Sequence, residues 1–181
     1  MKKSSHAMML LAVLPAFTSF ALAQEKTRPE AQDDENKLVQ TVRDATQQYL
    51  DVSAAIAAGY SPVLGCVSGS DHGAMGIHYV NAKLLNGTLD AKKPQALIYE
   101  PLEENGELKL VGVEFIVLAS QWGSNPKNTS PPELDGHLLV FVDAPNRYGL
   151  PAFYEIHVWA WRHNPQGPFV DWNDHVSCAH Q

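Results

Sequence analysis

The chain has 181 residues, enough for one domain with a sizeable apolar core. Its 13 basic and 20 acidic residues give a net charge of −7. This acidic balance argues against nucleic acid and against anionic membrane surfaces as partners.

The first 23 residues have the features of a secretory signal peptide. Lys2 and Lys3 form a short basic start, and a mostly apolar run follows from Met8 to Phe20. Residues 21–23 have the small-residue pattern that signal peptidase recognises, and the apolar run is too short to span a bilayer stably. We therefore expect cleavage after Ala23, export to the periplasm or the medium, and no membrane attachment afterwards.

The folded domain is expected at residues 34–181, after a polar, disordered leader at residues 24–33. It begins with an amphipathic helix, whose start Asp33 or Asp34 can cap and whose end Gly59 can close. Apolar residues repeat along it at spacings of three and four, which places them on one helix face. These residues are Leu38, Val42, Ala45, Tyr49, Val52 and Ile56.

The rest of the domain is rich in strand signals. Apolar segments typical of strands lie at residues 77–81, 96–100, 108–118, 137–142 and 152–161. Asn105-Gly106 predicts a hairpin turn, whereas residues 120–136 form a long connection with three prolines. One helix followed by mostly antiparallel strands predicts an α+β fold, with the helix packed on a sheet or partial barrel.

Three ionisable residues lie in predicted strands whose other side chains are mostly apolar: His78, Glu114 and His157. Buried charge is costly without a partner, so we expect them to converge. Two histidines and a carboxylate are suited to zinc, or to mononuclear iron or manganese. Glu155 is placed to orient the ring of His157. The predicted pocket around this centre includes Tyr79, Glu155, Trp159 and Trp161.

Two other interpretations of these residues remain open. His72, Met75 and His78 form an H-x-x-M-x-x-H string that is suited to copper, with Asp71 or His180 as a further ligand. Alternatively, the buried histidine and glutamate side chains form a structural polar network in a non-catalytic exported binding or stress protein. No nucleophile elbow, phosphate loop or dinucleotide fingerprint is present, so the sequence predicts no reaction and no substrate.

The two cysteines, Cys66 and Cys178, are predicted to form one disulfide, because an even pair in an oxidising compartment is typical of a structural bridge. A thiolate metal site or a redox pair is the alternative, but no CxxC motif is present. The bridge would close a loop of more than a hundred residues.

Several motifs resemble those of an uncharacterised family of secreted bacterial proteins. They are MGIHYVN, LIYEP, LVGVEFIV and EIHVWAWRHNPQGPFVDWNDHVSC, which together cover roughly residues 59–178. Asp174 stands where the family pattern has proline. The resemblance implies one domain, export and the Cys66–Cys178 bridge, but no activity. The resulting prediction is an exported small protein with a buried His/Glu site for a metal ion or a small molecule.

Overall fold

A computed structural model describes residues 36–69, 72–102 and 106–181. The predicted signal peptide, the polar leader and the Asp33 or Asp34 cap lie outside these residues, as do Asp71 and Asn105. Among the described residues, no helix is long and apolar enough to cross a bilayer.

The elements confirm the predicted α+β class. The helices are α1 (Lys37–Thr46), α2 (Val52–Ala57) and α3 (Ala119–Gly123), with short 3-10 helices at Gln47–Leu50 and Ala82–Leu84. The strands are β1 (Ser61–Pro62), β2 (Val67–Ser68), β3 (Ala74–Val80), β4 (Ala96–Pro101), β5 (Leu108–Leu118), β6 (Glu133–Leu134), β7 (His137–Leu138), β8 (Val140–Val142) and β9 (Phe153–Val158).

The predicted N-terminal helix is interrupted. The side chain of Asn36 caps α1 by accepting hydrogen bonds from the backbone N–H groups of Leu38 and Val39. Asp51 then takes an extended conformation and caps α2 by accepting a hydrogen bond from the backbone N–H of Ser53. A continuous helix from 38 to 56 is therefore wrong, because Asp51 satisfies the first turn of a new helix instead of continuing the old one.

The end of α2 has the predicted glycine closure. Gly59 has a φ of +96°, a conformation that disfavours a side chain. Its backbone N–H donates to the carbonyl of Ile56, and the N–H of Tyr60 donates to the carbonyl of Ala55. This is the Schellman pattern of hydrogen bonds. Ile56 itself is exposed, so the apolar helix face ends before it.

A seven-stranded antiparallel sheet forms the centre of the molecule. Its strands run in the order β1, β3, β4, β5, β9 and β8, and β2 also pairs with β3. The predicted strand at 137–142 is divided, because β7 pairs with β6 while β8 joins the edge of the main sheet. The long connection at 120–136 contains most of α3 and all of β6.

One face of the sheet packs against α1 and the turns that follow it, as predicted. The hydroxyl of Tyr99 donates a 2.7 Å hydrogen bond to the carbonyl of Tyr49, and the indole N–H of Trp161 donates to the hydroxyl of Thr46. The buried apolar core on this face includes Leu38, Val39, Val42, Tyr79, Leu97, Tyr99, Val113, Phe115, Ile156 and Val158.

The opposite face holds a smaller apolar cluster. Strict alternation would place Val111 on the helix side with Val113. The register between β4 and β5 shifts after Ile98, so that Val111 joins Ile98 and Trp159 on the other face. Cys178 packs against this cluster and is bonded to Cys66, 112 residues away, which confirms the predicted disulfide.

Candidate metal centre

The sheet register brings the three candidate ligands onto one face. Glu114 in β5 lies directly opposite His157 in β9. On the other side of β5, Glu114 pairs with Ala96 in β4, and Ala96 pairs with Val80 in β3. Because Ala96 has only a methyl group, His78 reaches across β4, and its Nε2 lies 3.5 Å from Oε2 of Glu114.

The cluster formed by His78, Glu114 and His157 has the spacing of a metal site. One ligand atom from each side chain lies within 4.8 Å of the other two, and all three residues are buried. Ligand bonds of about 2.1 Å in a tetrahedral site place neighbouring donor atoms about 3.4 Å apart. The His78–Glu114 pair already has this separation. The other pairs need to close by at most about 1.4 Å.

The ring of His157 is held in one orientation. Its Nδ1 lies 3.0 Å from Oε2 of Glu155 and 3.7 Å from Oδ1 of Asp171. A carboxylate on one imidazole nitrogen fixes the proton there and leaves the other nitrogen to act as a ligand. Nε2 of His157 is buried and has no hydrogen-bond partner among the described residues. The ring of Trp159 stacks against the same imidazole, with ring centroids 6.0 Å apart.

Burial determines the protonation of the cluster. Desolvation raises the pKa of Glu114 to about 8, although His157 opposes the shift. Desolvation lowers the pKa of His78 to about 3, and repulsion from His157 adds to this. For His157, burial lowers the pKa, but the hydrogen bond to Glu155 and the charge of Glu114 outweigh it and raise the value to about 9. Without an ion, burial therefore favours the neutral forms of Glu114 and His78, whereas the surrounding carboxyl groups favour the protonated form of His157.

A cavity of about 70 Å³ adjoins the cluster and is lined by His78, Glu114, Glu155 and His157. This space is large enough for a metal-bound water molecule or another small ligand. The other lining residues are Val63, Leu64, Met75, Val80, Ile116, Val142, Tyr148, Leu150, Phe153 and Asp171.

Two of the predicted pocket aromatics lie elsewhere. Tyr79 follows His78 in β3, so its side chain points to the helix side and packs on the ring of Tyr99. Trp161 lies beyond the end of β9, where alternation stops, and bonds to Thr46 on the helix side. Tyr79 and Trp161 are therefore core residues of the opposite face. Of the predicted pocket residues, Glu155 lines the cavity and Trp159 stacks on His157.

The three residues of the proposed copper site, His72, Met75 and His78, do not all line the cavity. His72 is exposed and is not among the described residues that line it, and His180 is also exposed. Met75 does line the cavity, together with His78. Gly76, with a φ of +106°, interrupts the strand alternation between them, which lets both side chains face the same side.

Asp171 and Tyr148 line the site although the sequence patterns did not indicate them. Both lie in loops, where no periodicity reports which side chains point inward. The sequence gives one indication of Asp171. It is an acidic residue between Val170 and Trp172, in a segment whose aromatic side chains have to pack on the domain.

Comparison with known proteins assigns neither a family nor a function to this chain. No protein-family model, curated protein or solved structure matches this chain. The functional conclusion therefore depends on the geometry of the cluster and its cavity.

Proposed function

We propose that this chain is an exported metal-binding protein whose centre is formed by His78, Glu114 and His157. The observation that carries the proposal is the state of His157. Its Nδ1 is held by Glu155, and its Nε2 is buried without a hydrogen-bond partner among the described residues. A buried nitrogen of this kind costs roughly 1–3 kcal/mol, and a bound ion offsets that cost.

The donor set and the cavity favour particular ions. Two imidazoles and one carboxylate suit zinc with an open fourth position, or iron(II) or manganese(II) with several open positions. The cavity beside the cluster provides space for a further small ligand at such a position. The disulfide supports export, because such bonds persist mainly in oxidising compartments.

A structural polar network is the second candidate. It is favoured by the position of the His157 Nδ1 between Glu155 and Asp171, which is the arrangement of a buried ion pair. Such a network explains the orientation of His157. It also accounts for the contact between Glu114 and His78, but it leaves Nε2 of His157 unexplained.

Equilibrium dialysis against zinc(II) and iron(II), followed by elemental analysis, tests the proposal. We expect one ion per chain. Glu114→Gln should lower the affinity at least about a hundredfold, because the anionic ligand is lost while the side-chain shape is kept. The exposed Glu133 provides the matched control, since Glu133→Gln removes the same charge away from the cavity. Undiminished metal binding by Glu114→Gln would refute the proposed centre.

A further inference from the structure

The cavity walls indicate what kind of ligand the open metal position takes. Resting on the proposed function, we infer that this position binds a small, uncharged molecule with a hydrogen-bond acceptor. Three features of the cavity lead to this class: its apolar lining, the charges around it and one hydroxyl group.

The wall of the cavity disfavours strongly polar ligands. The cavity measures about 70 Å³, and most of its lining side chains are apolar. Two of these apolar lining residues, Met75 and Phe153, are buried. A ligand with many polar groups would lose its hydration there without finding partners, so a small molecule with one or two polar atoms fits best.

The charges around the cavity disfavour anions. Its lining includes three carboxyl groups, those of Glu114, Glu155 and Asp171, and no lysine or arginine among the described residues. The nearby Arg147 does not line the cavity; its guanidinium lies over the rings of Tyr148 and Trp172 and donates to the carbonyl of Ser68. These carboxylates already balance the charge of a divalent ion. An anionic ligand would therefore gain no net electrostatic attraction on entering the cavity.

One hydroxyl group on the cavity wall has only a weak partner. The Oη of Tyr148 lies 3.7 Å from Sδ of Met75, and a thioether sulfur is a poor acceptor. Tyr148 can therefore donate its proton to an acceptor atom of a bound ligand at little cost. Because this hydroxyl is an uncharged donor among the described residues that line the cavity, the preferred ligand has an acceptor atom.

Nitric oxide added to the iron(II)-loaded protein without oxygen provides a direct test. It is uncharged, diatomic and detectable on iron by electron paramagnetic resonance. We expect one iron nitrosyl per chain and no spectral change with azide at millimolar concentration.

The role of the hydroxyl is tested by Tyr148→Phe, which keeps the ring and removes one donor. We expect the dissociation rate of nitric oxide, measured with a scavenger, to rise roughly three- to tenfold at unchanged iron content. An iron-loaded protein that forms no nitrosyl, or that binds azide equally well, would overturn this inference alone. A protein that holds no iron(II) or zinc(II) would overturn the proposed function itself, and this inference with it.

Discussion

The two faces of the central sheet are built from the same strands but differ in kind. On the helix side, Tyr99 and Phe115 are fully buried in an apolar core. On the other side, His78, Glu114, Glu155 and His157 are buried next to a cavity, each with at most 7% of its surface exposed. Burial of apolar groups stabilises the fold, whereas burial of ionisable groups costs free energy unless they are paired. The buried ionisable groups of the second face are therefore better explained by a binding function than by a contribution to stability.

This difference predicts opposite consequences for the two faces. Substitutions on the helix side should change the free energy of unfolding and leave the metal affinity per folded molecule unchanged. Substitutions in the cluster should change metal affinity while the metal-free protein stays folded.

The largest expected effect is on the helix side. Val42 is completely buried under the sheet, so Val42→Asp places an unpaired charge in the core. We expect a loss of about 3–5 kcal/mol in the free energy of unfolding, measured by urea denaturation. Gln47→Asp, at an exposed position just after α1, should change it by less than about 0.5 kcal/mol. If Val42→Asp and the parent had the same free energy of unfolding, α1 would not pack on this face.

The next effect concerns the two histidines of the DHGAMGIH segment. His78→Ala should weaken zinc binding at least about a hundredfold, because a direct ligand is lost. His72→Ala should leave binding unchanged, since His72 is exposed and does not line the cavity. Isothermal titration calorimetry measures both variants. Loss of binding in His72→Ala with retention in His78→Ala would restore the copper-string interpretation.

A smaller effect is expected for the carboxylate that orients His157. Glu155→Gln removes the charge that holds Nδ1 of His157, and we expect metal affinity to fall about 10- to 100-fold. The same titration calorimetry measures this loss, with Glu133→Gln as the control. Equal affinity in Glu155→Gln and in the parent would show that the Glu155–His157 contact has only a structural role.

The smallest expected effect is a pH dependence of the metal-free protein. The folded pKa values of Glu114 and His157, about 8 and about 9, lie above the ordinary values of 4.5 and 6.5. Between pH 6.5 and 8 the folded state therefore holds protons that the unfolded state releases. Stability should fall as pH rises through this window, by on the order of 1 kcal/mol per unit.

Metal affinity should rise over the same range, because binding releases these protons. Urea denaturation and metal titration at several pH values check both slopes. Glu114→Gln should flatten the stability slope. A stability that rises between pH 6.5 and 8 would contradict the assigned protonation states.

The main strands and the cluster of His78, Glu114 and His157 could be predicted because both depend on apolar patterns along the strands. A strand with apolar residues on both faces is buried, so a charged residue within it has to find a partner, as Glu114 does with His78. The bounds of β5 were predicted correctly from the same apolar run.

The errors arose where alternation or periodicity fails. Asp51 divides a continuous apolar helix pattern by capping a second helix. Trp161 lies past the end of a strand, and Tyr148 and Asp171 reach the cavity from loops. Such positions depend on tertiary packing, which no local pattern reports.

The metal ligands themselves are the most direct test of the account. X-ray absorption spectroscopy of the zinc-loaded protein reports the elements bound to the ion and their distances. We predict nitrogen and oxygen ligands at about 2.0–2.2 Å, including two imidazoles from His78 and His157. A sulfur ligand, for which Met75 lies on the cavity wall, or a shell without imidazole, would contradict the proposed centre.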